Sequence, residues 1–599
     1  MPGRTITPSG KSKVFKFKQR EDPDADNNPG PGGDDEPYAW TTPHSENRTF
    51  WVSQMFGANI DDQVQGLSPE LPLRNLWYLI GTIGLEPGDL VYLRLGEQYN
   101  ADGLGTANLS SVTIAAGPPD DLDSVGTTGH LEDGRPRIIT SPGKAFWDLT
   151  NLELQGDVTF LNVGFEAATP GAPGTFGIFG QNVSGAGSIA LEGCAFWGYS
   201  SGVHIEGAQL GVTPSFHSRR NVYLDCADES GGDSWGCYLD FLTGIEIIED
   251  LFDHNGWHEE GFIELYGDLR ATTPIARSAH SGNLHLGAGN SGTVKVDLSY
   301  STQAGWAGIE ILCPFTQVKR NVLALSPIGA ILGHTENELE RKLTGISGEF
   351  RNNAIIDGVD LDEVPAALDR HAGYGLWLGN VNTDDGLTVT QNVVNRTMTE
   401  CGSAVAVFGA LGVGATSVVF TSNVIHEWTR QLHFKDGTVE AALEGWTIDA
   451  NEFQQPADWS PSKGFFLVGH QVAPVDDLSD ALSYGENAYW SPNSQGLLWA
   501  VLNTPINTYA EWVATSGESG DGTGGIYGFV QRTYQDPNVS LASFLAALTG
   551  LPADDLDFIE IARSREQFGA GWRDDLDAIH VLNALRVGFN LHTLAGKDN

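Results

Sequence analysis

VKRNVLAL (residues 318–325), FRNNAII (350–356), VTQNVVN (389–395) and FTSNVIH (420–426) are one phrase written four times: a short apolar strand, an Asn, then another apolar strand. Looser versions surround it: FLNVGF at Asn162, RRNVYL at Asn221, FDHNGW at Asn255, HSGNLHL at Asn283 and DANEFQQ at Asn451. The separations are mostly near 30 residues, and the step from Asn162 to Asn221 spans two of them. Repeats of this length belong to solenoids or propellers, where each unit buries its apolar face only against its neighbours. Helical patterning is absent between the repeats, and no Trp-Asp or kelch-type signature accompanies them. Asn tolerates the left-handed conformation of a tight corner, and stacked Asn side chains form hydrogen-bonded ladders. A parallel β-helix with Asn at its corners is the expected architecture, with variation in spacing absorbed by loops.

Upstream, residues 50–54 (FWVSQ) alternate as a strand does. Leu73, Leu76, Trp77 and Ile80 then fall on one face of a helix that Ser68 would start, and EPGDLVYLRLG (86–96) reads as a turn followed by a strand. This opening resembles that of right-handed parallel β-helix proteins of the pectin-lyase-like class, in which the helix plugs the open end of the stack. A plug has a physical purpose, since an uncovered terminal coil is an unpaired sheet edge. Near the C-terminus Trp572, Leu576, Ile579, Leu582 and Leu585 recur at helical spacing. This region, with FDHNGW and YGLWLG, is similar to the C-terminal part of bacterial and viral β-helix repeat proteins. The expected class is all-β, a right-handed parallel β-helix with an N-terminal capping helix and a small C-terminal helical cap. Its expected divisions are an arm and tether (1–40), an N-terminal cap (41–139), the β-helix (140–480) and a C-terminal cap (481–599).

The chain of 599 residues carries 33 Lys+Arg against 77 Asp+Glu, a formal net charge of −44. Such an excess argues against nucleic acid as a partner of the body, because phosphate binding needs clustered cations. It suits a protein soluble in salty water, and equally an ordinary acidic surface. Yet Arg4, Lys11, Lys13, Lys16, Lys18 and Arg20 all precede the first carboxylate, Glu21, and an acidic Pro/Gly tether follows them. KVFKFK within this arm alternates apolar and basic residues, as a strand added to a partner's sheet edge would. No signal-type apolar segment opens the chain, and the longest apolar run, LWYLIGTIGL, is too short to span a bilayer. Five cysteines (Cys194, Cys226, Cys237, Cys313, Cys401) show no metal-type spacing and are expected to be buried structural thiols rather than a disulfide framework.

Two patches could carry chemistry. The first, LFDHNGWHEEGFIEL (251–265), gathers Asp253, His254, Trp257, His258, Glu259 and Glu260. Acids and imidazoles suit proton transfer. Asp253, His258 and Glu259 are the catalytic candidates, with His254, Trp257 and Glu260 as sugar contacts. The competing reading is a coil corner with solvated glutamates. The second patch is a row of cations preceding the corner Asn residues: Arg219 and Arg220, Lys319 and Arg320, and Arg351. Arg220, Lys319 and Arg320 from neighbouring coils could hold an acidic polysaccharide, or could simply pair with carboxylates across coils. No P-loop, dinucleotide glycine fingerprint, HExxH or GxSxG with triad context occurs, and no EF-hand or RTX repeat does. No cofactor is expected, although calcium has carboxylates to choose from.

The resemblance implies long glycans bound along a stacked sheet face. Lyases of the class use a basic residue, with a cation neutralising the uronate. Hydrolases use carboxylates on neighbouring coils. The expected function is a virion-attached surface spike that binds host-surface polysaccharide, with cleavage as a second expectation, and docks on a virion structural protein through residues 1–36. Viral β-helix spikes are usually trimers, so a homotrimer is favoured. The alternatives are a polysaccharide lyase or glycoside hydrolase of a free-living microbe, and an architectural virion protein without a ligand.

Overall fold

A computed structural model describes residues 48–54, 67, 72–101, 109–117, 135–228, 233–256, 281–333 without 315, 346–358, 373–396 without 380 and 382–384, 402–407, 417–435, 445–456, 466–470, 478–518 without 493–497 and 503, 528–537 and 578–594. Their strands form a right-handed parallel β-helix with three faces, in which each strand pairs with its counterpart one coil away. Sheet I runs from Thr49–Val52 to Leu482–Tyr484, and sheet II from Ala145–Asp148 to Trp499–Val501. Sheet III has 14 strands, from Gln98–Ala101 to Gly528–Phe529. Two long strands, Trp235–Ile248 and Gly282–Asp297, pass through both sheet II and sheet I and fuse them into one 25-stranded sheet.

The interior explains why these sequences form coils. Ile, Val, Leu and Phe from all three sheets point inward and stack in register, as in Val203–Cys237–Leu284–Ile309. On sheet III, Phe165, Phe196, Tyr223 and Phe252 stack face to face at centroid distances of 4.6, 5.0 and 4.6 Å. Cys194, Cys226, Cys237 and Cys313 are buried thiols outside any disulfide among the described residues; Cys401 lies outside the described residues. Burial pushes the Cys194 thiol up to about 12, which keeps it protonated and inert.

The corner between sheets I and III carries the repeated phrase, with its roles shifted by one residue. The left-handed residue precedes the Asn: Arg220, Arg320, Asn352, Gln391, Ser422 and Ala450 have φ of 54–58°. The Asn itself turns inward. Asn321, Asn353, Asn392, Asn423, Asn451 and Asn487 form a continuous ladder. From Asn353 on, each Oδ1 accepts from the backbone N–H and Nδ2 of the Asn one coil before, Asn321 Oδ1 accepts from Ser299 N, and each Nδ2 also donates to a strand carbonyl, as Asn321 does to Val296 O at 2.9 Å. The corner geometry requires this division of labour, because a left-handed residue there faces outward and cannot fill the interior. Asn162 is the exception, taking the left-handed position itself at φ 56°. Asn255 and Asn283 leave the ladder altogether. They pair with each other at 2.9 Å elsewhere in the interior, while Asp250 and Ser299 occupy the ladder positions of their coils.

Both ends have helical caps. The N-terminal helix begins later than Ser68 would place it: Asn75 caps Leu76–Tyr78 by accepting from Trp77 N at 2.8 Å, and a π-turn Leu79–Ile83 follows. Leu73 precedes the helix in an isolated bridge to Val52, and its side chain joins Leu76, Leu79 and Ile80 in the core. At the other end, helix Tyr509–Ser516 places Trp512 flat against Trp499, at 5.7 Å, over the last coils. The helix Ala578–Gly588 lies along the flank. Val581, Leu582, Leu585 and the following Phe589 cover the outer face of sheet III with Val393 and Val424, and Arg586 donates to Gln391 O at 3.0 Å.

Candidate functional site

The three outer faces differ in chemistry, and two are already engaged. The part of sheet III around Val322, Ala354, Val393 and Val424 is covered by the C-terminal helix. Sheet I carries charged side chains that pair across coils. Arg220 Nε lies 2.6 Å from Glu249 Oε2, Arg320 Nε 2.9 Å from Asp297 Oδ1, and Lys319 Nζ 3.1 Å from Glu349 Oε2. Arg351 donates to Gln391 Oε1 at 3.2 Å, and Arg219 Nε is 3.7 Å from Glu249. His217 and Lys295 flank Glu246. Burial works against its charge, but their hydrogen bonds and the Lys295 ammonium prevail and hold it down at about 2. The predicted row of cations therefore exists in register, and each predicted member closes a polar pair with a neighbouring coil. Such partly exposed pairs contribute about 0–1 kcal/mol each.

Sheet II is different. Its outward positions, which alternate with core residues, build a column of rings in strict register: Phe179, His204, Tyr238 and His285, followed by Glu310. His204 stacks on Tyr238 at 4.4 Å, and Tyr238 on His285 at 4.2 Å with an interplanar angle of 1°. Stacked rings cover one another's faces, so what the column turns toward solvent is the edges of the half-buried His204 and Tyr238. Carboxylates flank it. His204 Nε2 is 3.0 Å from Glu206 Oε1, Asp240 lies opposite Glu206 one coil on, and His285 Nδ1 is 2.7 Å from Glu310 Oε2. Phe179, His204 and Tyr238 are half-buried, whereas His285 and Glu310 are buried. Trp235 adjoins the column, 5.2 Å from His285, and an apolar cluster that includes Trp306, Ile331 and Trp377 continues the same face.

The first predicted patch touches this face at its edge. Asp253 ends a sheet III strand, wholly buried, and accepts from Thr302 Oγ1 at 2.8 Å. His254 takes the left-handed corner position at φ 58°, with Nδ1 2.8 Å from Asp225 Oδ1. Both thus shape a corner, and they do not meet Arg220, Lys319 or Arg320. Trp257, His258, Glu259 and Glu260 lie outside the described residues. Of the described residues on either side, Gly256 and Gly282 touch: a Cβ on Gly256 would sit 2.5 Å from Gly282 N. Gly282 opens the strand that bears His285. Among the described residues no three His, Cys, Asp or Glu side chains converge as metal ligands, and no helix is long and apolar enough to cross a membrane.

Sequence reading misses the sheet II column, because its members come one from each of five strands. The visible hint is the alternation in NLHLG, where Leu284 and Leu286 bracket an outward His285.

No protein-family model and no curated protein matches the sequence. Solved structures do resemble it. The Dettilon tailspike protein shares 10% identity over 69% of this chain and 62% of its own, with a TM-score of 0.29. A tailspike from Acinetobacter baumannii bacteriophage Fri1, a capsular polysaccharide depolymerase, shares 13% over 78% and 65%, with a TM-score of 0.29. A lacto-N-biosidase from Eubacterium ramulus shares 13% over 77% and 66%, with a TM-score of 0.30. The chain thus spans just under two thirds of each of these proteins, and at such scores the β-helix assignment stands on the strand pairing itself.

Proposed function

We propose that this chain is a glycan-binding β-helix that holds a polysaccharide along the outer face of sheet II. The observation that carries the reading is the stacked column on this face, in which the half-buried His204 and Tyr238 lie on adjacent coils with Glu206 beside them. A sugar chain laid across them meets a hydrogen-bonding group on each of these coils. Sugars are mostly hydroxyl, so affinity for them accumulates from many such bonds.

The test is binding to a panel of bacterial and archaeal surface polysaccharides, by calorimetry or an immobilised array. Replacing Tyr238 by Phe removes one hydroxyl and leaves the stack; the expected loss is about 3–10-fold in affinity, one neutral hydrogen bond. Unchanged affinity for every glycan that binds, or no binding at all, would contradict the reading.

Display on a virion is the second part of the proposal, supported by an arm whose charge opposes that of the body. Deleting residues 1–36 should leave a soluble β-helix that still binds glycan and no longer joins its assembly. A free-living enzyme would lose nothing by the deletion, and normal incorporation of the truncated chain would place the anchor elsewhere. A trimer, the expected state of such a spike, would show in the mass of the purified protein by light scattering.

A further inference from the structure

Copies of a chain with formal net charge −44 repel one another, so they meet most readily where that excess is cancelled locally. The outer face of sheet I is such a place. Ile247, Val296, Val318, Phe350, Val389 and Phe420 point into the core and leave an outward column on either side of them. The first column contains Glu246, Lys295, Gln317, Glu349, Thr388 and Val419. The second, two residues later in each strand, contains Ile248, Asp297, Lys319, Arg351, Thr390 and Thr421. Extended over the described coils, the two columns set Arg219, Lys295, Lys319 and Arg351 against Glu192, Glu246, Asp297, Glu349 and Asp449. That is near balance, in a chain with 33 cations and 77 carboxylates.

The face is open and large enough to dock a partner. The side chains of Lys295 and Glu349 are 44% and 37% exposed, and Val419 is 38% exposed. Strands spaced ~4.8 Å apart, from Thr49–Val52 to Leu482–Tyr484, make a strip on the order of 60 Å long and ~14 Å wide. Its area, about 800 Å², is what one partner gives to a stable interface. An apolar turn stands at its edge. Leu210 is 91% and Val212 62% exposed, and both lie between the sheet II strand Ser201–Gly207 and the sheet I strand Ser215–Arg219. The turn is anchored: Gly185 N donates to Val212 O at 2.8 Å, and Thr213 Oγ1 lies 3.1 Å from Thr243 Oγ1. Burial of the two side chains favours contact with another surface.

We infer that copies of this chain associate through sheet I, parallel and level coil by coil, with the first column of one copy beside the second column of the next. The signs of the charges set this register. Where one strand carries a charge in both columns, the two are opposite: Lys295 with Asp297, and Glu349 with Arg351. Elsewhere a charge stands beside an uncharged side chain, as in Ala190 with Glu192, Glu246 with Ile248, Gln317 with Lys319 and Thr447 with Asp449. His217, in the strand of Arg219, is engaged 3.3 Å from Glu246 Oε2. Level coils therefore bring no two like charges of Lys, Arg, Asp or Glu together across the seam. Farther along, Thr388 and Val419 meet Thr390 and Thr421, short side chains that let the surfaces approach closely. Rotation about an axis parallel to the solenoid gives every copy the same contacts. It brings the turn of Leu210 and Val212 to the second-column side of the next copy, where Ile248 is half-buried, and leaves every N-terminal arm at one end. The inference goes beyond glycan binding and does not depend on it; to the trimer named above it adds a face and a register.

The test is cross-linking and mass. Full-length V419C and T421C chains, carrying different tags and co-expressed, are expected to link to each other on mild oxidation and not each to itself, because a disulfide needs Cβ atoms about 4 Å apart. The parent chain is the blank for its own cysteines. By light scattering, L210E/V419E should fall from the mass of an oligomer to that of one chain with its circular dichroism and melting unchanged, since both sites are exposed. V587E, at a comparably exposed site on the helix Ala578–Gly588, should keep the oligomer's mass. A monomeric parent chain overturns the inference and the expected trimer together, while glycan binding, read separately, is untouched. An oligomer that withstands L210E/V419E, that dissociates with V587E, or that yields no link between V419C and T421C overturns the face or its register and leaves the trimer standing.

Discussion

Asn423→Val should lower stability by about 4 kcal/mol, whereas Ser422→Gly, one residue earlier, should be neutral or slightly stabilising. Asn423 is 1% exposed and sits within the ladder. Its Oδ1 accepts from Asn392 N at 3.0 Å and Asn392 Nδ2 at 2.9 Å, and its Nδ2 donates to Val389 O and to Asn451 Oδ1, each at 3.0 Å. Valine matches the width of the corner but satisfies none of these groups, and each one left open in the interior costs about 1–3 kcal/mol. Ser422 is exposed and holds the left-handed conformation at φ 56°, which glycine adopts without strain. The pair of variants therefore separates two roles that the sequence phrase runs together. Urea unfolding followed by circular dichroism measures both. A tolerated valine, or a glycine that costs more than the valine, would mean that the ladder does not hold the coils.

Asp250→Asn should stabilise the protein at alkaline pH and flatten its pH dependence. Asp250 occupies a ladder position that Asn fills in later coils, accepting from Asn221 N at 2.8 Å and from the Ser218 hydroxyl. Burial pushes its carboxyl up to about 8 from 3.8, against hydrogen bonds from Ser218 and Asn221 that favour the charged form. The folded state thus keeps a proton that the unfolded chain releases. Stability is unaffected below pH ~4, falls as pH rises through the interval up to ~8, and stays low above it. The linkage relation bounds that loss at about 6 kcal/mol. Glu518, which ends the ladder by accepting from Asn487, is raised to about 7 by burial and adds a loss of the same sign between pH ~4.5 and ~7. Glu246, held at about 2, acts in the opposite sense only below pH ~4.5. His426 and His470, held down to about 3 by burial, act in the opposite sense below pH ~6.5. Wild-type protein at fixed ionic strength should accordingly melt higher at pH ~6.5 than at pH ~9, and the Asn variant should recover much of the difference. A wild-type midpoint that rises over that interval would contradict the assignment.

The solenoid is legible in the sequence because a coil repeats three local demands: an outward left-handed residue, an inward hydrogen-bonding side chain, and apolar strands on either side. VKRNVLAL displays all three. The sequence leaves open which of two adjacent residues takes which role, since Asn is competent for both, as Asn162 and Asn321 show. It also conceals positions where another polar residue replaces Asn, so Asp250 and Ser299 go unseen while Asn255 and Asn283 stand in for them. The cation row is legible as a row, but whether Arg320 faces a ligand or Asp297 depends on which carboxylate the neighbouring coil brings up. The sheet II column is hidden for a related reason. His204, Tyr238, His285 and Glu310 are 25–47 residues apart from one to the next, and only the register between coils makes them neighbours. Candidate residues crowded together in sequence, such as Asp253 and His254, are brought instead to a coil corner, where neighbours in the chain necessarily lie.

The most direct test of the account is where an oligosaccharide sits in a crystal structure of the complex, grown with whichever panel glycan binds most tightly. The account expects the sugar chain along the outer face of sheet II, with hydroxyls within hydrogen-bonding distance of the Tyr238 phenol and the Glu206 carboxylate. A chain lying on the ion-paired face of sheet I, or against the helix Ala578–Gly588, would contradict it.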